Sequence, residues 1–323
     1  MIHKVLAEKD KQKWLEQRSK SIGGSEAGTI LGFNPFQSAY GLWAQRTGMI
    51  PAFEGNLPTK VGTALEPFVA DLFTEETGLK VKRSNYIWYN DKFPHQHASP
   101  DRLIAGLPAG LEIKTTSAWN SQKFKGGQFP LQYYAQCVQY MSILEYPVWY
   151  LAVLVGNTAL HIYMLRDTED IPVPSWVEGS LVVDDADREA LKEACDTFWT
   201  CLTTNTPPAV DGSTDCTEAL QTIYAEADEG SQTILHCQAT LERLSQINKD
   251  IEELKSIKQE IEAQIKLEMG TFETAKCGRF KVVWKNRQHT TVDTKALRAD
   301  LPDVVARYTK VSDSRTFTIK EEK

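Results

Sequence analysis

The segment Gly110-Leu111-Glu112-Ile113-Lys114 places a carboxylate and an ammonium two positions apart in a strand-like sequence. Because side chains alternate along a β-strand, Glu112 and Lys114 point to one face while Ile113 points into the core. Carboxylate oxygens are ligands that Mg²⁺ prefers, and a nearby lysine can position or activate an attacking water molecule. Taken alone, this pair is weak evidence for a catalytic site, since charged residues at i and i+2 are common on exposed strands.

Two further carboxylates precede this strand. Asp101, in Ser99-Pro100-Asp101, lies eleven residues before Glu112, which is enough chain for one strand to reverse and return beside the first. Asp101 could then face Glu112, although an aspartate after a proline is also a common turn residue. Glu66 lies within a predicted helix, where a surface glutamate would be ordinary, and the Pro67 that follows departs from a simple helical pattern.

Arg18 and Ser25 form a second candidate group, around Gly23 and Gly24. We expect Ser25 to be a helix N-cap, where its hydroxyl and free backbone N–H groups could meet a phosphate, and Arg18 offers a fork for phosphate oxygens. The two glycines would let the backbone approach closely. The ordinary alternative is a serine cap beside a solvated arginine.

The apolar pattern of the first two-thirds of the chain predicts an α/β or α+β domain. Ser38 is predicted to cap another early helix. The predicted helices cover residues 61–77, 132–144 and 184–203, and the predicted strands cover residues 80–89, 96–103, 110–115, 148–155 and 159–165.

Thr206-Pro207-Pro208 ends the regular secondary structure of the first part and marks a domain boundary. We therefore predict a domain over residues 1–209, an acidic linker with a long helix over 210–270, and a small basic α+β part over 271–323. The helical pattern is typical of a short coiled coil or a helical hairpin, with apolar residues at Leu241, Leu244, Ile247, Ile251, Leu254, Ile261 and Ile265. The last part is predicted to hold a hairpin whose second strand is 279–284, a helix after Asp293 and a strand near 315–319.

Composition indicates an ordinary soluble protein of 323 residues, with 41% hydrophobic residues, 24% charged residues and a net charge of −7. This negative charge does not exclude DNA binding, because residues 271–320 carry 11 Lys/Arg and only 5 Asp/Glu. No membrane-spanning run or signal peptide is present, so we expect a cytoplasmic protein. The six cysteines are scattered, which argues against zinc and iron–sulfur sites and predicts free thiols.

In order and spacing, Glu66, Asp101, Glu112 and Lys114 resemble the PD-(D/E)xK nuclease superfamily. More narrowly, residues 11–203 resemble the YqaJ-type viral recombinase family, which is lambda-exonuclease-like. The segments that carry the resemblance are Arg18 with residues 22–26, residues 62–67, residues 100–115 and residues 133–136.

The resemblance implies a restriction-endonuclease-like core, with a mixed central sheet flanked by helices, followed by a coiled coil and a small α+β appendage. It implies that Asp101, Glu112 and the backbone carbonyl of Ile113 bind a metal, and that Glu66 contacts it directly or through water. Lys114 would serve the water molecule. Gln136 matches a glutamine that helps to hold the site, although a buried amide satisfied by backbone is an equal alternative.

By the same resemblance Arg18 and Ser25 would form a pocket for a terminal phosphate. The activity it implies is that of a Mg²⁺-dependent 5′→3′ exonuclease on double-stranded DNA, which makes 3′ single-strand overhangs in phage-type recombination. It also implies that Mn²⁺ can substitute for Mg²⁺ and that a single-strand annealing protein is a partner. The protein would form a trimer and act in the cytoplasm of a bacterial host cell. A structure- or sequence-specific endonuclease and a non-catalytic DNA-binding or assembly protein remain alternatives.

Two other groups have ordinary explanations. His95 and His97 are metal-ligand types at i and i+2, but no third soft ligand is near in sequence, which favours histidines within a strand. Trp284 lies among Lys281, Lys285 and Arg287, and is as consistent with a core tryptophan among solvated lysines as with a DNA contact.

Overall fold

A computed structural model describes residues 1–311 and 315–319 of the chain. Two units are distinguished, Met1–Ala225 and Glu226–Lys323, and each is described by itself. The strands of the first unit are β1 (Ile2–Leu6), β2 (Ile22–Gly23), β3 (Val81–Arg83), β4 (Tyr86–Asn90), β5 (Gln96–His97), β6 (Arg102–Ile104), β7 (Ala109–Thr116), β8 (Val148–Val155), β9 (Ala159–Arg166) and β10 (Gly179–Val182). Its helices are α1 (Lys11–Arg18), α2 (Gly24–Ile30), α3 (Ala39–Arg46), α4 (Leu57–Thr77), a 3-10 helix (Ala118–Phe124), α5 (Leu131–Leu144), α6 (Asp185–Thr203) and α7 (Thr214–Ile223).

The central feature of this unit is a six-stranded mixed sheet in the order β10-β9-β8-β7-β6-β3. Strands β7 and β8 run parallel over their full lengths, from the pair Ala109 and Val148 to the pair Thr116 and Val155. Strands β9 and β10 are also parallel, whereas the other neighbours are antiparallel. The predicted fold class, a mixed central sheet flanked by helices, is confirmed.

The two faces of the sheet bury different helices. On one face Leu111 and Ile113 of β7 pack with Val69 and Phe73 of α4. On the other face, alternate residues of β8 such as Trp149 pack with a cluster that includes α5, α2, α3 and α6. Because α5 lies against the face opposite to α4, the side chains of Glu112 and Lys114 point toward α5.

The segment 80–89, predicted as one strand, is divided between two sheets. Strand β3 pairs with β6 at the edge of the central sheet, whereas β4 pairs with the N-terminal strand β1. Both halves are rich in β-forming residues, so the local pattern gives no sign that the pairing partner changes near Ser84. The elements of this unit that were not predicted are strands β1, β2 and β10, helices α1 and α7 and the 3-10 helix.

Of the two serines predicted as helix N-caps, Ser38 is one and Ser25 is not. Ser38 is the N-cap of α3, and its Oγ accepts a hydrogen bond of 2.9 Å from the backbone N–H of Gly41. The prediction for Ser25 was wrong, because α2 begins at Gly24 and its N-cap is Gly23. There the carboxylate of Glu26 accepts the Gly23 N–H at 2.8 Å, which leaves the Ser25 hydroxyl free for other contacts.

The first unit ends later than the predicted boundary at residue 209. Helix α7 packs against α3, and the Asp215 carboxylate accepts hydrogen bonds from the N–H and the hydroxyl of Ser38 at 2.8 and 2.7 Å. These contacts place the start of the acidic segment 210–270 in the first unit. The division of the remaining chain into a coiled coil and a small α+β part stays a prediction.

The second unit contains α8 (Gln238–Met269), β11 (Thr274–Cys277), β12 (Phe280–Val283), α9 (Thr294–Asp300) and α10 (Pro302–Tyr308). Strands β11 and β12 form the predicted hairpin. The strand predicted near 315–319 is not formed, since these residues have no regular secondary structure. Helix α8 is the longest, yet along the described chain no helix combines the length and the apolar character needed to cross a membrane.

Candidate active site

Glu112 and Lys114 lie on the same face of β7 and contact each other. The ammonium of Lys114 donates to Glu112 Oε1 at 2.6 Å, and it lies 5.5 Å from the centre of the Tyr133 ring. Glu112 is 2% exposed, whereas the Lys114 side chain is 23% exposed. The carboxylate therefore lies at the bottom of the site, with the ammonium between it and solvent.

Asp101 faces the same region from the turn that precedes β6. Its Oδ2 accepts a hydrogen bond of 2.9 Å from the backbone N–H of Ile113, so it lies beside β7. The pairing of β6 with β7 extends only to Leu111. Because the N–H and C=O of an extended residue point to the same side, the carbonyl of Ile113 also faces the Asp101 side, where no strand pairs with it.

Glu66 approaches this region from α4, and an arginine binds it. The guanidinium of Arg102 forms an ion pair with Glu66 Oε1 and also donates to the backbone carbonyl of Asp101 at 2.7 Å. Arg102 is 7% exposed, so this pair is largely shielded from water. Arg102 thus joins helix α4 to the turn that carries Asp101.

Helix α5 supplies the polar groups above Glu112. Gln136 donates to Glu112 Oε1 at 2.6 Å and to the hydroxyl of Tyr140 at 3.1 Å, and that hydroxyl donates to the carbonyl of Ser99 at 3.3 Å. One oxygen of Glu112 therefore has two donors. Its other oxygen, Oε2, is buried and has no hydrogen-bond partner.

The electrostatics of the site are those of crowded, buried carboxylates. Burial raises the pKa of Asp101 well above its usual value, and the charge of Glu112 raises it further. Burial likewise raises the pKa of Glu112, although Lys114 opposes the shift. Burial acts to lower the pKa of Lys114, but the charges of Glu112 and Asp101 outweigh it and the net shift is upward. Lys114 is therefore a cationic donor at neutral pH.

These groups suit a hard divalent cation, although they are not arranged around one. Among the described residues, no three His, Cys, Asp or Glu side chains are arranged to hold a metal ion. The reason lies in the pairing, because Glu66 turns to Arg102 and Glu112 Oε1 turns to Lys114. The unpartnered Oε2 of Glu112 and the crowded carboxylate of Asp101 are the oxygen donors that a hard cation such as Mg²⁺ prefers.

Arg18 and Ser25, predicted as a pair, are in contact. The Arg18 guanidinium donates to Ser25 Oγ at 3.3 Å and, through Nε, to His97 Nε2 at 3.3 Å. Both residues line a large cleft in the first unit. A Cβ at Gly23 would lie 2.8 Å from the Arg18 guanidinium, so this glycine gives the arginine room.

His97 is buried, at 1% exposure, and its Nε2 accepts the hydrogen bond from Arg18 that fixes the guanidinium. Because a guanidinium can only donate, Nε2 of His97 must be the unprotonated nitrogen. Nδ1 then carries the proton and donates to the hydroxyl of Ser21, 2.8 Å away. Burial, together with the nearby charges of Arg18 and Arg46, lowers the pKa of His97 to about 3.

This arrangement predicts acid sensitivity. Since the folded-state pKa of His97 lies below the unfolded value of about 6.5, its contribution to stability is present above pH 6.5 and is lost as the pH falls toward 3. The loss is at most about 1.4 kcal/mol per pH unit. We expect His97→Gln to show a shallower decline between pH 7 and pH 5 in urea unfolding, and identical slopes for the two proteins would contradict this assignment.

Several residues of the site were not predicted. His97 was interpreted as an ordinary strand histidine, and Arg102, Tyr140 and Gln139 were not singled out. Gln139 donates to the carbonyls of Ile22 and His97, both at 3.0 Å. The only sequence signal for these residues was their position near the predicted ones, since Arg102 follows Asp101 and Tyr140 follows Gln136 by one helical turn.

Comparisons with known proteins place the chain in a family. Residues 13–147 match the model of the YqaJ-like viral recombinase domain. A protein named "Uncharacterized protein YqaJ", from Bacillus subtilis (strain 168), is 34% identical over 322 residues, which are 98% of this chain and 96% of that protein.

Two solved structures are also similar. An alkaline exonuclease (LHK-Exo) from Laribacter hongkongensis has 18% identity and a TM-score of 0.47, over 60% of this chain and 93% of the other. A phage related exonuclease from Haemophilus somnus 129PT has 12% identity and a TM-score of 0.39, and the match covers 57% of this chain and 96% of the other. Because both TM-scores are below 0.5, the assignment is based on the sequence matches. The chain belongs to the family of proteins with a YqaJ-like viral recombinase domain.

Proposed function

We propose that the protein is a metal-dependent DNA nuclease, most specifically a Mg²⁺-dependent 5′→3′ exonuclease on double-stranded DNA that leaves 3′ single-strand overhangs. The observation that carries this proposal is the convergence of Asp101, Glu112 and Lys114 on one volume, with Glu112 Oε2 buried and unpartnered. Membership of a viral recombinase family is consistent with it.

The role proposed for each residue comes from the family resemblance and is consistent with its contacts. Asp101, Glu112 and the carbonyl of Ile113 would hold the metal, with Glu66 contacting it directly or through water. When bound, the metal supplies Lewis-acid polarisation of the scissile phosphate and lowers the pKa of bound water. Lys114, as a cationic donor, orients the attacking water or a phosphate oxygen.

Gln136 acts as a positioning residue in this proposal. Its amide holds Glu112 Oε1 at 2.6 Å, which fixes the carboxylate so that Oε2 faces away from the amide and the ammonium. The alternative weighed from the sequence, a buried amide satisfied by backbone, does not describe its contacts, because its partners are the side chains of Glu112 and Tyr140.

Arg18 and Ser25 are proposed to bind the terminal phosphate of the strand that is degraded. The Arg18 guanidinium donates to His97 on one side and to the Ser25 hydroxyl on the other. In this proposal its remaining N–H groups and the Ser25 hydroxyl donate to the same phosphate. Charge-assisted hydrogen bonds of this kind are the strong ones in phosphate recognition. The pocket would select ends over internal positions.

The decisive experiment is a cleavage assay on linear duplexes with 5′-phosphate or 5′-hydroxyl ends, in Mg²⁺, in Mn²⁺ and in EDTA, with each strand labelled separately. We expect loss of the 5′-ended strand, no cleavage in EDTA and a preference for the 5′-phosphate. A covalently closed circular duplex is the control and should remain intact.

Other outcomes of the assay would assign other functions. Linearisation of the circle as fast as degradation of linear ends would identify an endonuclease. Binding of duplex without metal-dependent cleavage would identify a DNA-binding or assembly protein, and the exonuclease proposal would be wrong. A ring-shaped trimer, a single-strand annealing partner and action in the bacterial cytoplasm are included in the proposal on the family resemblance alone.

The terminal-phosphate pocket gives its own prediction. Arg18→Ala should reduce the preference for 5′-phosphate ends by about 10- to 150-fold, which corresponds to loss of a hydrogen bond to a charged group. Cleavage of 5′-hydroxyl ends should change little. Lys20→Ala is the matched control, because Lys20 is a nearby exposed cation that lies outside this cluster. An unchanged preference in Arg18→Ala would remove the pocket from the proposal.

A further inference from the structure

A cavity of about 490 Å³ beside the proposed active site has no role in the function proposed above. Its lining includes Phe33, Phe36, Phe129 and Tyr133, and the neighbouring 3-10 helix carries Trp119. We call these five residues the aromatic groove. Its volume lies within the range of about 300–1,000 Å³ that is usual for small-ligand sites.

Exposure of these rings is unusual for a folded protein. Trp119 is 95% exposed and Phe36 is 77% exposed, although large aromatic side chains are normally buried. The segment that carries Trp119 is well anchored, because Phe124 is 1% exposed and its carbonyl accepts the Tyr163 hydroxyl at 2.9 Å. A firmly held backbone thus presents an unpacked indole to solvent, which is typical of a binding surface.

The groove is continuous with the proposed active site. The Tyr133 ring lies 5.5 Å from the Lys114 ammonium, and Thr116 at the end of β7 also lines the cavity. Phe36 lines both this cavity and the cleft that contains Arg18 and Ser25. A strand bound at those two places would pass along these rings.

The charge of the surroundings suits a polyanion. Residues 113–144 contain three lysines and no aspartate or glutamate, in a chain whose net charge is −7. Lys123 and Lys125 are exposed on either side of the buried Phe124. Aromatic rings flanked by lysines are the arrangement with which proteins bind single-stranded nucleic acid, since every base offers a face for stacking.

We propose that the aromatic groove is a stacking site for unpaired nucleobases of the DNA strand held at Glu112 and Lys114. This inference rests on the proposed function and adds to it a surface that contacts the bases next to the scissile bond. Trp119 and Phe36 are the principal stacking residues, because their rings are the most exposed.

The test compares two probes of equal charge in EDTA, so that no strand is cut. One is a short single-stranded oligodeoxynucleotide and the other has the same length but abasic sugars. By fluorescence anisotropy, Trp119→Ala should weaken binding of the first about 5- to 150-fold, as for loss of a base–aromatic stack, and should leave the second unchanged. Trp119→Phe should retain most of the affinity, and Phe36→Ala should behave like Trp119→Ala.

Tyr86→Ala is the matched control, because Tyr86 is an exposed aromatic residue beside a lysine, Lys4, and lies outside the aromatic groove. Equal weakening of both probes by Trp119→Ala, or an equal effect of Tyr86→Ala, would overturn the stacking site. So would a Trp119→Ala variant with unchanged binding that has lost self-association in sedimentation, since the groove would then contact a second copy.

The two proposals fail in different ways. If the wild-type protein cleaves linear duplex in Mg²⁺ while Trp119→Ala binds both probes normally, only the stacking site is wrong. If the wild-type protein binds the base-containing probe through Trp119 but cleaves no DNA in any metal, the nuclease proposal fails and the stacking site stands.

Discussion

Lys114→Gln is expected to lower the rate of DNA cleavage by about two to four orders of magnitude without unfolding the protein, which is the usual contribution of a residue that positions or activates a nucleophile. Glutamine can still donate to Glu112 Oε1, which Lys114 contacts at 2.6 Å, but it carries no charge. The substitution therefore removes the cation while a hydrogen bond to the buried carboxylate remains.

Lys114→Ala is a less informative variant because it leaves Glu112, at 2% exposure, without its counter-charge. Removal of one partner of a buried ion pair costs about 3–5 kcal/mol, so loss of activity would be mixed with loss of fold. Single-turnover cleavage and urea unfolding of Lys114→Gln should be measured together, with Lys82→Gln on exposed strand β3 as control. Near-normal turnover in Lys114→Gln would exclude the mechanism.

Asp101→Asn should make the metal-free protein more stable and inactive. Burial and the charge of Glu112 raise the pKa of Asp101, so its carboxylate is unfavourable in the folded protein at neutral pH. Asparagine removes that charge and still accepts the hydrogen bond from the Ile113 N–H. We expect a Tm in EDTA that is higher by a few degrees, since about 1 kcal/mol shifts the Tm of a unit of this size by about 2–4 °C.

The same variant should lose its response to metal. A ligand that binds only the folded state at about 100 times its dissociation constant stabilises it by about 2.7 kcal/mol, so Mg²⁺ or Mn²⁺ should raise the wild-type Tm. Asp101→Asn should show no such rise, whereas Asp71→Asn, a change on the exposed side of α4, should respond as the wild type does. Metal stabilisation that persists in Asp101→Asn would remove Asp101 from the ligand set.

The sequence could predict those helices and strands whose apolar residues form a clear local pattern. Strand β7 alternates, β8 is a continuous apolar run, and α5 is a long apolar segment that ends at Leu144 as predicted. The local pattern does not encode which strand will be the partner. For this reason the exchange of partners between β3 and β4, and the strand β1 that makes it possible, became visible only in the structure.

The candidate site shows the same limit. The spacing allowed Asp101 to lie next to the strand of Glu112 but left a turn aspartate as an alternative, and in the structure Asp101 accepts the N–H of Ile113 on that strand. The pairing of Glu66 with Arg102 could not be predicted, since it brings a helix and a strand that are 36 residues apart into contact. The low pKa of His97 likewise depends on burial and on arginines contributed by distant segments.

Helix α5 carries Tyr133, Gln136 and Tyr140 at successive intervals of three and four residues, and Gln139 lies on the same side, three residues after Gln136. Through Gln136 it holds Glu112, and through Gln139 it holds the backbone of His97, the residue behind Arg18. One rigid helix therefore spans the place where a strand end would be bound and the place where it would be cut. If the proposed sites are correct, this helix would act as a ruler, because the number of nucleotides between the end and the cut would be set by helical geometry and not by a mobile loop. Each catalytic cycle would then release a product of the same length.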